Sequence, residues 1–133
     1  MRIRNLAIAG TLALAGLGTG LATAGTASAA GDYCSSGNAC LHYNSNYKGA
    51  FYKQYAAISN YAGYYFSASA AGSSGAGLSV KNNTASVDNW DFTYGIRIYY
   101  NSNYAGASQG ISKGGAANLN ATLKNNNASG KFY

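Results

Sequence analysis

The sequence predicts an all-β domain of two Greek-key motifs packed as a sandwich, on three observations. Short runs of β-forming residues alternate with Gly, Asn and Ser throughout residues 30–133. No segment there shows an amphipathic helical stripe with caps. One octapeptide is written twice, as Tyr-Asn-Ser-Asn-Tyr-Lys-Gly-Ala at 43–50 and Tyr-Asn-Ser-Asn-Tyr-Ala-Gly-Ala at 100–107, identical at seven of eight positions. Two copies of one unit in so short a chain suit a pseudo-twofold domain, because a solenoid needs at least three.

Residues 1–29 stand apart from this pattern. Arg2 and Arg4 open the chain, Leu6 to Leu17 is uncharged and apolar, and Ala27-Ser28-Ala29 has the form of a cleavage site. That is the anatomy of a secretory signal, so the expectation is a secreted, extracellular chain beginning near Ala30, with no membrane attachment after cleavage. Of the 9 Lys/Arg, two lie in this segment, which leaves seven against three acids, a charge of +4.

Composition limits the chemistry. There is one His, there are two Cys, and the only acids are Asp32, Asp88 and Asp91. A structural zinc site needs more ligands than that. Asp88 and Asp91 differ by three, so alternation along a strand puts them on opposite faces and makes them a poor acid–base pair. No phosphate loop, dinucleotide fingerprint or nucleophile elbow is present. The seven cations are scattered, which gives no nucleic-acid patch. The expectation is a protein that is not an enzyme and is monomeric.

From the N-terminus onward, Cys34 and Cys40 come first. In an exported chain with two cysteines, an intramolecular disulfide is the default. Closing so short a loop stabilises by about 2 kcal/mol in the chain-entropy model. Strands are expected at 38–43, 50–54, 63–66, 85–91, 95–100, 107–111, 115–118 and 121–125. The duplicated turn falls between strands in each half, where Asn and Gly supply positive φ. His42 stands where the second copy has Tyr99, an aromatic-sized packing position, and Trp90 is expected as a core or sheet-covering anchor. A weaker echo pairs residues 84–89 with 120–125, which places the excess length of the first half between Tyr55 and Gly77. The Ser/Ala/Gly-rich run 67–77 then reads as a long surface loop. One domain over 30–133 follows, with the first Greek key at about 33–92 and the second at about 93–133.

Each half resembles a βγ-crystallin motif, in which an aromatic, a short polar stretch, a second aromatic and a glycine follow one another. Tyr43, Tyr47 and Gly49 match it in the first half, and Tyr100, Tyr104 and Gly106 in the second. The opening Cys34-x5-Cys40-Leu41-His42-Tyr43 is similar to the start of the Streptomyces metalloproteinase-inhibitor family, secreted actinobacterial proteins in which a C-P-x-G-x-x-C-[LF]-Y-like segment leads into the first Greek key. The resemblance implies a βγ-crystallin-like sandwich and a non-enzymatic inhibitor of an extracellular peptidase. It implies no reactive loop, because the second disulfide that closes that loop in the inhibitor has no counterpart here, and Ser35 replaces the usual proline. Tyr61, Tyr64 and Tyr65 in the insertion are the expected partner-binding residues. The alternative is a structural or cell-envelope-binding protein of the same fold, like the killer-toxin crystallin relatives.

Many βγ-crystallin domains bind calcium through N/D-N/D-x-x-S/T-S. The nearest stretches here are 81–86 and 117–122, which offer Asn82, Asn83, Ser86, Asn118 and Thr122. Lys81 would sit at the ion, and Ala85 and Ala121 replace a hydroxyl, so no cofactor is the expectation, with calcium at these residues as the alternative.

Overall fold

The computed structural model describes residues 31–133, and the signal segment expected at residues 1–29 lies outside the described residues. Seven strands follow in order: β1 (Ala39–Asn44), β2 (Lys48–Gln54), β3 (Ser86–Asn89), β4 (Ile96–Asn101), β5 (Ala105–Ile111), β6 (Ala116–Asn118) and β7 (Ser129–Phe132). One sheet has the order β2-β1-β3-β6, the other β5-β4-β7, and every pairing is antiparallel. Ile58 extends the second sheet by bridging Gly130 of β7 through two main-chain bonds.

The two halves therefore exchange strands. β1 and β2 form a hairpin, the chain crosses to the other sheet at Ile58, and β3 returns beside β1. The second half repeats this with β4 and β5, then β6 on the first sheet, then β7 beside β4. Both are Greek keys, as the duplicated turn predicts.

Alternation puts Leu41 and Val87 of the first sheet, and Ile96 and Ile98 of the second, into one core. Tyr61, Phe66, Val80, Leu119 and Leu123 close its ends. Ile58 and Gly130 seal one side, where Gln54 Nε2 donates to the Gly130 carbonyl at 2.9 Å.

Three expectations are corrected. Residues 63–66 make one bridge, Tyr65 to Ser79, and no strand. Residues 121–125 form a turn, because Asn120 Oδ1 accepts the amides of Thr122 and Leu123 at 3.1 Å each and leaves Leu123 as a single core plug. The last strand lies later, at Ser129–Phe132, so the echo of β3 sits 43 residues downstream rather than 36. Asn83-Thr84-Ala85-Ser86 corresponds to Asn126-Asn127-Ala128-Ser129.

The Ser/Ala/Gly-rich run is pinned flat along the edge of β2. The amides of Gly49 and Ala50 donate to Ala71 and Ser74, and Phe51 exchanges both bonds with Ser67. A sheet edge left open invites pairing with other chains, and this insertion covers it. The corresponding edge, β5, has no such cover among the described residues.

Candidate functional site

Both hairpin turns are clamped by a serine from the returning strand. Ser86 Oγ donates to the Asn44 carbonyl at 2.6 Å and accepts the Tyr47 amide at 3.0 Å. Ser129 repeats this with Asn101 at 2.7 Å and Tyr104 at 3.0 Å. The clamp holds Tyr47 and Tyr104 themselves at φ 60 and 59, a left-handed conformation that is costly for a bulky residue. Gly49 and Gly106 follow at φ 81 and 80.

Beside each turn lies a polar cleft, and the two clefts match residue for residue across the pseudo-twofold. The first, of about 400 Å³, is lined by Tyr43, Asn44, Ser45, Asn83, Ala85, Lys124 and Asn125. The second, of about 260 Å³, is lined by Tyr100, Asn101, Ser102, Asn126, Ala128, Lys81 and Asn82. Each cleft takes its lysine from the other half, and Lys81 Nζ donates to Ser102 Oγ at 3.5 Å.

The insertion tyrosines separate. Tyr61 is 0% exposed and its hydroxyl donates to Gln54 Oε1 at 2.6 Å. It is a core residue, which corrects its place among the partner-binding side chains. Tyr64 packs edge-on against Tyr52, with ring centroids 5.4 Å apart. Tyr65 is 57% exposed. Tyr43 packs on Phe66 and beneath Gly75, both from the insertion, whereas its equivalent Tyr100 lacks that cover and is exposed.

The strongest break in the pseudosymmetry is around His42. It lies on the outer face of the first sheet, opposite Phe51 on β2 and Ser86 on β3. The second half has Tyr99 there, half-buried against Tyr104. His42 is 4% exposed, and neither ring nitrogen has a hydrogen-bond partner. A buried polar group left unpaired costs about 1–3 kcal/mol. Burial also lowers its pKa below the ordinary value, more than the nearby Asp88 carboxylate raises it, which favours the neutral imidazole.

His42 is roofed by pieces that the second half lacks. The Cys34–Cys40 disulfide, with Cα atoms 6.0 Å apart, holds the N-terminal segment over the sheet. The Ala70 amide donates to the Asp32 carbonyl at 2.7 Å, which ties the insertion to that segment. Trp90, 41% exposed, is held at the margin by donation from its indole N–H to Asp88 Oδ2 at 2.8 Å. Between them is a cavity of about 230 Å³, with Tyr33, His42, Tyr47, Phe51, Asp88 and Trp90 in its wall. Asp91 takes no part, since its Oδ1 accepts the Thr93 and Tyr94 amides at 2.8 Å and caps the next turn. From sequence, only the His42–Tyr99 mismatch beside an otherwise repeated motif pointed here.

No protein-family model and no curated protein matches the chain. A solved structure described as "Evolution of the eye lens beta-gamma-crystallin domain fold" is similar to it, at 15% sequence identity and a TM-score of 0.57. The similarity covers 77% of this chain and 90% of that one.

The chain has the βγ-crystallin fold. The fold corrects the calcium reading of the second half. Asn118 is engaged elsewhere, accepting the Asn46 amide at 2.7 Å and donating to Asn46 Oδ1 at 3.1 Å, and Thr122 lies in the 121–125 turn. The counterpart of Asn82 and Ser86 in the second half is Asn125 and Ser129, and Asn82 and Asn125 share φ values of 63 and 60. Neither cleft contains a carboxylate, each contains an ammonium group, and Ser86 and Ser129 already spend their hydroxyls on the turns. Calcium needs six to eight oxygens and is repelled by a lysine, so the residues present do not fit it.

Proposed function

We propose that the protein is an exported, non-enzymatic binding module that grips an extracellular partner protein with the aromatic surface of its first half. One observation carries this reading. Of ten exposed large apolar side chains, seven fall in the first half, between Tyr33 and Phe92, and only Tyr94, Tyr100 and Tyr133 lie beyond. The two halves share a backbone plan, so the plan alone does not produce the imbalance. The disulfide segment, the insertion and the 90–94 turn account for most of it.

Rigid aromatic side chains give large contact area at low entropic cost when ordered. Here they stand on backbone already fixed: the Trp90 amide donates to Asn38 at 2.9 Å, and the insertion is bonded to β2. A metallopeptidase is the partner class that the Cys34-x5-Cys40-Leu41-His42-Tyr43 resemblance supports, with the domain acting as its inhibitor. The test is titration of the secreted protein into a thermolysin-type metallopeptidase. Stoichiometric loss of activity that is weakened at least tenfold in Tyr65→Ala or Phe92→Ala supports the reading. Slow cleavage of the domain without inhibition overturns it.

A second reading is attachment to the cell envelope. The net charge of +4 favours it, since the cations are spread over the surface while Asp32 is already paired with Lys53 at 2.8 Å. Sedimentation with purified cell wall tests it.

A further inference from the structure

We propose that the cavity around His42 is a binding site for a single neutral sugar ring, such as the terminal residue of a glycan. This does not rest on the peptidase reading. Four observations converge on that ligand.

The first is size. Pockets for drug-sized molecules run from roughly 300 to 1,000 Å³. At about 230 Å³ this one is smaller and suits one ring.

The second is His42. It lines the cavity and is buried with both nitrogens unpartnered. A neutral imidazole carries one donor and one acceptor. A hydroxyl group has both complements, and a sugar ring brings several.

The third is the state of the acids. Asp32 and Asp88 both line the cavity. Asp32 is paired with Lys53 at 2.8 Å, and Asp88 Oδ2 accepts the Trp90 indole N–H. Each keeps spare lone pairs for a hydroxyl donor. Lys53 neutralises Asp32, whereas Asp88 is held by a neutral indole and keeps its charge, so the cavity disfavours an anion and offers carboxylate acceptors to hydroxyl donors.

The fourth is the mouth. Tyr33 is 70% and Trp90 41% exposed, and both line the cavity. The C–H face of a pyranose is apolar and covers such rings, while its hydroxyls point sideways to polar groups. The second half serves as an internal control. It has Tyr99 at the His42 position and neither a disulfide segment nor an insertion above it.

Trp90 is the only tryptophan in the chain, so its fluorescence reports on this cavity and on the neighbouring pocket that it lines with Phe92 and Gly114, and His42→Phe tells the two apart. The secreted protein is titrated with glucose, galactose, mannose and N-acetylglucosamine, and with p-cresol as a flat ring of matched size. The expected result is saturable change with at least one sugar, at millimolar Kd or tighter and at least tenfold tighter than p-cresol. His42→Phe, which keeps the packing volume, is expected to weaken that sugar at least tenfold. Tyr33→Ala, at an exposed position, is expected to weaken it severalfold by calorimetry without moving the melting temperature. Absence of saturation with all four sugars overturns the proposal. So does p-cresol binding as tightly as any sugar, or undiminished sugar affinity in both variants.

Discussion

Thr84 and Asn127 are equivalent positions of the two halves, and they are hydrogen-bonded to each other. Asn127 Oδ1 accepts the Thr84 amide and its Nδ2 donates to Thr84 Oγ1, both at 3.0 Å, with each residue 0% exposed. Asn127 Nδ2 also donates to the Val80 carbonyl at 3.0 Å. The pseudo-twofold passes between these two side chains. Asn127→Leu removes every one of those bonds and strands a buried amide, so it is expected to destabilise by about 2–4 kcal/mol. Thr84→Val keeps the amide bond and is expected to lose about 1 kcal/mol. Urea unfolding of both variants checks the order.

Gly75 locks the insertion to the first hairpin. Its φ is +86, and an added methyl would run into the Tyr43 ring. Gly77, at φ +88, has open space around the same position. Overpacking and left-handed backbone together make Gly75→Ala roughly 3 kcal/mol destabilising, against about 1 kcal/mol for Gly77→Ala. Equal losses would show that Tyr43 moves aside freely.

His42 makes the fold sensitive to acid. Burial holds its pKa below the ordinary 6.5. The unfolded chain therefore takes up a proton at a higher pH than the folded one, and the stability present above about pH 6.5 is lost as pH falls toward the folded value. The melting temperature is expected to drop between pH 7 and 5, and His42→Phe is expected to flatten that drop. As the single His in the chain, it can be followed unambiguously by its imidazole NMR signals.

Tyr61 acts in the opposite range. Its buried phenol is pushed well above the ordinary value of 10, chiefly by desolvation. Folding keeps the proton on, so this contribution is complete below about pH 10 and fades as pH rises further. Absorbance titration is expected to show one tyrosine ionising only as the protein unfolds. Tyr61→Phe leaves Gln54 Oε1 without its 2.6 Å donor and is expected to destabilise by about 1–3 kcal/mol.

Calcium is expected to do nothing to the native chain. Millimolar calcium should produce no binding heat and no rise in melting temperature, and a chelator should produce no fall. A micromolar Kd would contradict the lysine-bearing geometry of the clefts. Lys124→Asp exchanges the ammonium for a carboxylate beside Asn83 and Asn125, and is the variant in which a calcium-dependent rise should first emerge.

The turns were legible in the sequence because their chemistry is local. Tyr, Asn and Gly at fixed spacing report a hairpin wherever they occur, and the copy at 100–107 made the report twice. β7 was hidden because its residues serve distant partners. Gly130 has no side chain to mark a strand, and a methyl there would collide with the Tyr61 hydroxyl. Its main chain instead pairs with Ile58, 72 residues earlier. Ala-Thr-Leu-Lys-Asn at 121–125 looked more like a strand, yet Asn120 turns it. The cavity was least legible of all. Four separated segments build it, and the sequence marked it only by a histidine in a tyrosine's place.

The crossing of Ile58 and β6 has one more consequence. Each sheet is finished by a piece of the other half. A chain severed in the 90–95 turn would yield two fragments, each with an open sheet edge and each holding the piece that covers the other's. Such fragments would be poor folders alone and strong mates together. A fragment kept from its counterpart would be driven toward another copy of itself, and so the intact linker makes a single molecule of what would otherwise be a dimer.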